Sequence, residues 1–225
     1  MPPFKFHAEV YRVSNQKAGL VDLFRNKVLR INLLLMMGLW IVVSFVYYLI
    51  NFYVKYMNGS IFSNNLISIC SELSGKIIAS IILQKLSLKK FLFMVYCFAG
   101  VCALLQALFE GIGNWVVYLS VLVIKLGMGG AFVGVYMGNY DLFPPRYVGA
   151  SFAACNLFAR MATISAPLVA ETPKPLPMLI ASGLGAFACF CVVGLVKPEK
   201  EEEIDPKSST LLEKDVKPLN VSQST

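Results

Sequence analysis

Four charged side chains stand inside long apolar runs of this chain: Glu72, Lys76, Lys125 and Arg160. A charge at the centre of a membrane span costs several kcal/mol unless it faces water, a partner or a ligand. Glu72 and Lys76 are spaced i,i+4, so on a helix they share a face and can neutralise one another. Arg160 has no acidic neighbour on its own segment; its partner is therefore an external anion or a carboxylate from another segment, such as Glu72. Lys125 stands just before a glycine-rich stretch, where helix carbonyls could also receive it. With all four ionised, the three cations exceed the one carboxylate by two charges.

The neighbours of these charges extend the pattern. Asn65, Ser68, Glu72, Lys76 and Ser80 recur at steps of three and four, with Ile69, Leu73, Ile77 and Ile81 turned elsewhere. Such a polar stripe belongs on the interior side of a helix bundle or in a cavity. Asn156, Arg160 and Thr163 repeat the arrangement before Pro167, and Ser44, Tyr47, Tyr48 and Asn51 cluster toward the end of the first apolar run. Gly130, Gly134 and Gly138 form a GxxxGxxxG ladder suited to close helix packing. Gly127-Met128-Gly129-Gly130 is not a phosphate loop, because no strand precedes it and it lies inside an apolar run.

The elements that must position these residues follow from composition. Of 225 residues, 57% are hydrophobic and only 15% charged, with a mean hydropathy of +0.66. A soluble domain carries nearer a quarter charged residues. Six stretches approach the roughly 20 apolar residues that cross a bilayer: 31–50, 61–83, 91–109, 115–138, 150–170 and 178–196. Helices one, two, four and five carry the polar interior groups; three and six carry no charge. The expected fold is therefore an all-α membrane protein of six transmembrane helices in two triplets, consistent with two inverted three-helix repeats and a site near the midplane. It divides into an N-terminal segment, 1–30, a six-helix bundle, 31–196, and a charged tail, 197–225, expected to be disordered.

Basic residues alternate between loops. Lys5, Arg12, Lys17, Arg25, Lys27 and Arg30 precede the first span; Lys85, Lys89 and Lys90 follow the second; Arg146 follows the fourth; five lysines lie in the tail. The opposite loops hold Lys55 and Lys174. The positive-inside rule then places both termini in the cytoplasm. The net charge of +7 is thus membrane-flanking rather than a nucleic-acid patch. Six cysteines all fall in apolar runs without CxxC spacing, and His7 is the single histidine, so neither metal site nor catalytic triad is expected. No cofactor motif and no nucleophile–base constellation occurs, which argues against an enzyme.

Several segments together resemble the organic cation, anion and zwitterion transporters of the major facilitator superfamily. Val21-Asp22-Leu23-Phe24-Arg25 is similar to the segment leading into that family's seventh helix, and Ser44-Phe45-Val46-Tyr47-Tyr48 to the aromatic pair within it. Glu72 and Lys76 resemble the acidic-x-x-x-Lys pair of the eighth helix in anion carriers. Asp141-Leu142-Phe143-Pro144-Pro145-Arg146 resembles the acidic-Leu-aromatic-Pro motif after the tenth, with the arginine two positions early; QKLSLKK keeps the basic residues of the preceding family loop but not its pattern. Arg160 and Pro167 match the eleventh helix, where anion and zwitterion carriers tend to have Arg. The resemblance implies the C-terminal half of such a carrier, moving small organic anions or zwitterions by alternating access at the plasma membrane, without cofactor, and needing a second six-helix half. Substrate-binding roles are expected for Arg160, Lys76, Glu72, Tyr47, Tyr48, Lys125 and Asn156, and gating roles for Asp141 and Arg146. The competing expectation is a structural or regulatory membrane subunit that keeps the half-carrier fold without transport.

Overall fold

The computed structural model describes residues 23–24, 26–57, 60–109 and 114–196. Most of the N-terminal segment, including Asp22 and Arg25, and the whole tail from 197 lie outside these. Among the described residues the long elements are helices: α1 (Lys27–Tyr53), α2 (Ile61–Leu83), α3 (Leu88–Leu108), α4 (Asn114–Leu142), α5 (Pro145–Thr163), α6 (Ala166–Ala170) and α7 (Leu176–Gly194). Asn26 caps α1, its side chain accepting from the Val28 amide at 3.0 Å. A 3-10 turn, Val54–Tyr56, prolongs its far end.

Five helical segments are long and apolar enough to cross a membrane: Lys27–Tyr56, Ile61–Leu83, Leu88–Leu108, Trp115–Leu142 and Leu176–Gly194. These correspond to five of the six expected spans. The remaining one, expected at 150–170, differs in kind. Its helix begins at Pro145, suited to a first helical position, and stops at Thr163. Pro167 explains the stop: it has no N–H to offer the Thr163 carbonyl four residues back, and its ring crowds that carbonyl. Thr163 and Ser165 cover part of the loss by donating their hydroxyls to the carbonyls of Arg160 and Ala162. The short helix α6 then resumes. With Arg146, Asn156 and Arg160 in its length, α5 lacks the apolar continuity of the other five.

Helix α1 is the axis of the bundle. It is apolar all round, which suits burial, and Leu33, Leu39, Trp40, Val42, Val43, Leu49 and Ile50 are all enclosed. It packs on α4, α5, α6 and α7, while α4 packs on α2 and α3, and α3 on α7. Of the two expected triplets, the first helix of each thus contacts the second and third of the other. Polar ties fix this arrangement: Tyr96 donates to the Leu39 carbonyl at 3.0 Å, and Ser71 to the Leu122 carbonyl at 2.6 Å. Buried Asn32 brackets the chain after α7, donating to the Val196 carbonyl and accepting from its amide. Outward-facing Ile69, Leu73, Ile77 and Ile81 on α2 and Phe187, Phe190 and Val193 on α7 leave an apolar exterior.

Small residues set the tightest crossings. A Cβ on Gly75 would lie 2.1 Å from the Leu126 carbonyl oxygen, and one on Gly129 would lie 2.6 Å from that of Glu72, so the α2 and α4 backbones touch. The glycine ladder on α4 packs as its spacing suggests, with Gly134 against Leu92 and Gly138 against Met36. Because a backbone carbonyl in a helix cannot step aside, Gly75→Ala is expected to cost about 3 kcal/mol, the upper end for overpacking. Gly149→Ala in α5 meets nothing within 4 Å. That change is expected to raise stability by roughly 0.5–1 kcal/mol through better helix propensity. Melting temperatures in detergent micelles check both; equal effects would contradict the α2–α4 crossing.

Candidate functional site

The backbone contact between α2 and α4, and that of α1 with α5, leaves a cavity of about 460 Å³ between the four helices. Trp40, Ser44, Tyr47 and Tyr48 line it from α1, Glu72 and Lys76 from α2, Phe132, Val133, Tyr136 and Met137 from α4, and Asn156 and Arg160 from α5. Six of the seven side chains expected to bind a ligand therefore share one wall system. The seventh, Lys125, does not line it.

The charges divide into two groups. Glu72 is largely buried and accepts from Lys76 Nζ on Oε1 at 2.6 Å; its Oε2 lies 3.9 Å from Lys125 Nζ. Lys125 is 1% exposed and donates to Asn51 Oδ1 rather than to the helix carbonyls near the glycine stretch. Its ammonium also sits 4.0 Å from the centre of the Tyr47 ring. Arg160 stands apart. It is exposed, and its Nη1 donates to the Tyr48 hydroxyl at 2.8 Å. Among the described residues no carboxylate pairs with it. A neutral phenol satisfies one of five guanidinium donors and none of its charge. The arrangement can therefore hold an anion.

Aromatic rings supply the rest of the wall. Tyr47 stands edge-on to both Tyr48 and Phe132, with centroids 5.3 and 5.4 Å apart. On the other side Trp40 meets Tyr136 and Phe152 at 4.8 and 5.1 Å. Edge-to-face contacts of this kind fix ring orientation. Sequence reasoning singled out Tyr47 and Tyr48 but not Trp40, Phe132 or Tyr136. It also put Asn65 on the buried stripe of α2; that place belongs to Asn64, with Ser68, Glu72, Gly75 and Ala79, while Asn65 and Ser80 are exposed. Asn156 reaches the cavity while donating to the Phe152 carbonyl at 3.2 Å.

The two expected gating residues lie at the other end of α4. Asp141 lines a second cavity of about 510 Å³ with Ser87, Lys89, Tyr140 and Leu195 among others. Arg146, in the first turn of α5, places its guanidinium 4.7 Å from the centre of the Tyr147 ring. Lys55 pairs with Glu171 at 3.0 Å, an exposed bridge between the end of α1 and the end of α6. Among the described residues no three His, Cys, Asp or Glu side chains gather closely enough to hold a metal ion.

A cavity holding an arginine and a lysine is expected to be wet. Cysteines placed at Met137 and Asn156 are expected to react with a charged, membrane-impermeant thiosulfonate faster than wild-type protein does. Phe190→Cys, on the apolar exterior of α7, is expected to add no reactivity. Equal, background-level labelling at all three positions would mean a dry cavity.

No family model matches the chain. Among curated proteins it is 26% identical to the organic cation transporter protein of Drosophila melanogaster, over 83% of this chain and 34% of that one. It is 25% identical to organic cation/carnitine transporter 4 of Arabidopsis thaliana, over 80% of this chain and 33% of that one. Organic anion transporter 3 of Sus scrofa is 26% identical, over 92% of this chain and 39% of that one. The chain spans little more than a third of the length of these relatives, which are transporters and not enzymes. Over most of its own length, then, the chain is similar to the organic cation and organic anion transporters.

Proposed function

We propose that the chain is the C-terminal six-helix half of a major facilitator carrier, moving small organic ions across a membrane by alternating access, with organic anions or zwitterions favoured. The observation that carries this reading is Arg160, which faces the cavity with a tyrosine hydroxyl as its partner and no described carboxylate. Lys76 on α2 and Arg160 on α5 provide charge, and the aromatic rings provide apolar surface for the organic part of a substrate. Relatives named as organic cation and organic anion transporters support the substrate class.

The exchange of contacts between the two triplets supports inverted repeats, with α5 and α6 together making the fifth pass. In this reading both termini are cytoplasmic, a second six-helix half closes the cavity, and the membrane is the plasma membrane. Asp141 and Arg146 then stand at the cytoplasmic end, where a gate between halves would form. Glu72, Lys76, Tyr47, Tyr48, Asn156 and Arg160 face the substrate. Lys125 stands behind the wall.

The test is uptake of labelled benzoate by cells supplying this chain together with a complementary six-helix half. Arg160→Ala is expected to lower kcat/KM roughly tenfold to a hundredfold, the scale of a charge-assisted hydrogen bond. Arg160→Lys keeps the charge and is expected to retain part of the uptake. Full uptake by well-expressed Arg160→Ala would remove the arginine from the mechanism.

A further inference from the structure

The carrier reading leaves Lys125 without a task, since a side chain 1% exposed cannot touch a ligand in the cavity. Both of its charged and aromatic contacts, however, are wall residues. It lies 3.9 Å from Glu72 Oε2 and 4.0 Å from the centre of the Tyr47 ring, with Asn51 as its hydrogen-bond acceptor. Glu72 Oε1 is already taken by Lys76 at 2.6 Å.

We propose that Lys125 is a positioning and specificity-determining residue that commits the cavity to anions without contacting them. The wall offers two features to an organic cation: a carboxylate and aromatic faces, the latter through cation–π attraction. Lys125 engages one oxygen of the carboxylate and one face of Tyr47. With Lys76 on the other oxygen, Glu72 is balanced by two ammonium groups rather than one. Lys76 alone would leave Glu72 neutralised and the cavity with the single charge of Arg160; Lys125 raises the surplus to two. A buried cation is screened little by salt or water, so its field reaches the cavity. The same contact orders the ring beside Arg160's partner, because Tyr47 stands edge-on to Tyr48 at 5.3 Å and Tyr48 accepts from Arg160.

This inference rests on the anion-binding reading above, and the experiment separates the two. The full chain, together with a complementary six-helix half in lipid nanodiscs, is titrated calorimetrically with benzoate and with benzylammonium, two probes of similar shape and opposite charge. Wild type is expected to favour benzoate. Lys125→Met is expected to reduce the benzoate-to-benzylammonium affinity ratio about tenfold, as a buried unit charge near the ligand would at an intermediate dielectric. The double variant Lys125→Met/Glu72→Gln removes the charge and its counter-charge together. It is expected to return the ratio to within about threefold of wild type, because the net surplus is again two. Glu72 keeps Lys76 as its partner in Lys125→Met, and in the double variant Lys76 is partly exposed toward the cavity, so neither variant buries an orphan charge. Should Lys125→Met fail to fold, the double variant carries the test, a wild-type ratio supporting the proposal and a ratio lowered about tenfold overturning it. A residue that served only packing would leave the ratio unchanged in Lys125→Met, because the two probes share a shape and differ in charge. An unchanged ratio in Lys125→Met, or a ratio as low in the double variant as in the single, overturns the proposal. Wild type that binds neither probe overturns the carrier reading and this inference with it.

Discussion

Charge in a low-dielectric bundle has to be answered by something, and the answers here are unequal. Isolated ions in hydrocarbon are costly enough that they neutralise, pair or find water. Glu72 answers Lys76 directly and Lys125 in part, with Asn51 and the Tyr47 ring supplying the remainder. Arg160 has a phenol. The imbalance is a property of three helices at once: α2 brings the carboxylate, α4 one lysine and α5 the arginine. It persists because the packed backbones that hold these groups apart cannot slide to cancel it.

That rigidity comes from the smallest residues in the chain. Gly75 and Gly129 let α2 and α4 touch backbone to backbone, and Glu72 and Lys125 lie within a turn or so of that contact. Their ion pair is thus a consequence of the crossing. On the other side α1, which carries Trp40, Tyr47 and Tyr48 and packs on α5, is pinned to α3 by Tyr96 and to the chain after α7 by Asn32. The pieces that make no chemistry, the glycines and the buried amide, decide where the charged ones stand. Weakening a crossing therefore alters the cavity as well as the stability.

Much of this was legible in the sequence because a charge inside an apolar run carries its own explanation. Glu72, Lys76 and Arg160 are legible that way, Asn156 by its spacing from Arg160, and Tyr47 and Tyr48 by their place near the end of the first run and the family resemblance; all six line the same cavity. Five spans were likewise readable from uninterrupted apolar length. The sixth was not, since Pro167 ends a helix that hydropathy alone runs through. Trp40, Phe132 and Tyr136 escaped notice because an aromatic residue in an apolar run looks the same facing lipid, core or cavity. Asn64 and Asn65 differ by one residue, about 100° around the helix, and only the neighbour's position tells which is inward. The depth of Lys125 is set by Asn51 and Tyr47, both on another helix, which no pattern local to α4 could announce.

The most direct measurement is an experimental structure of the chain with a complementary six-helix half, in lipid with 4-iodobenzoate, the iodine marking the probe. The account predicts iodine density inside the cavity bounded by α1, α2, α4 and α5, with the carboxylate about 3 Å from the Arg160 guanidinium. Arg160 closed instead on a protein carboxylate, in a cavity holding neither probe nor water, would contradict it.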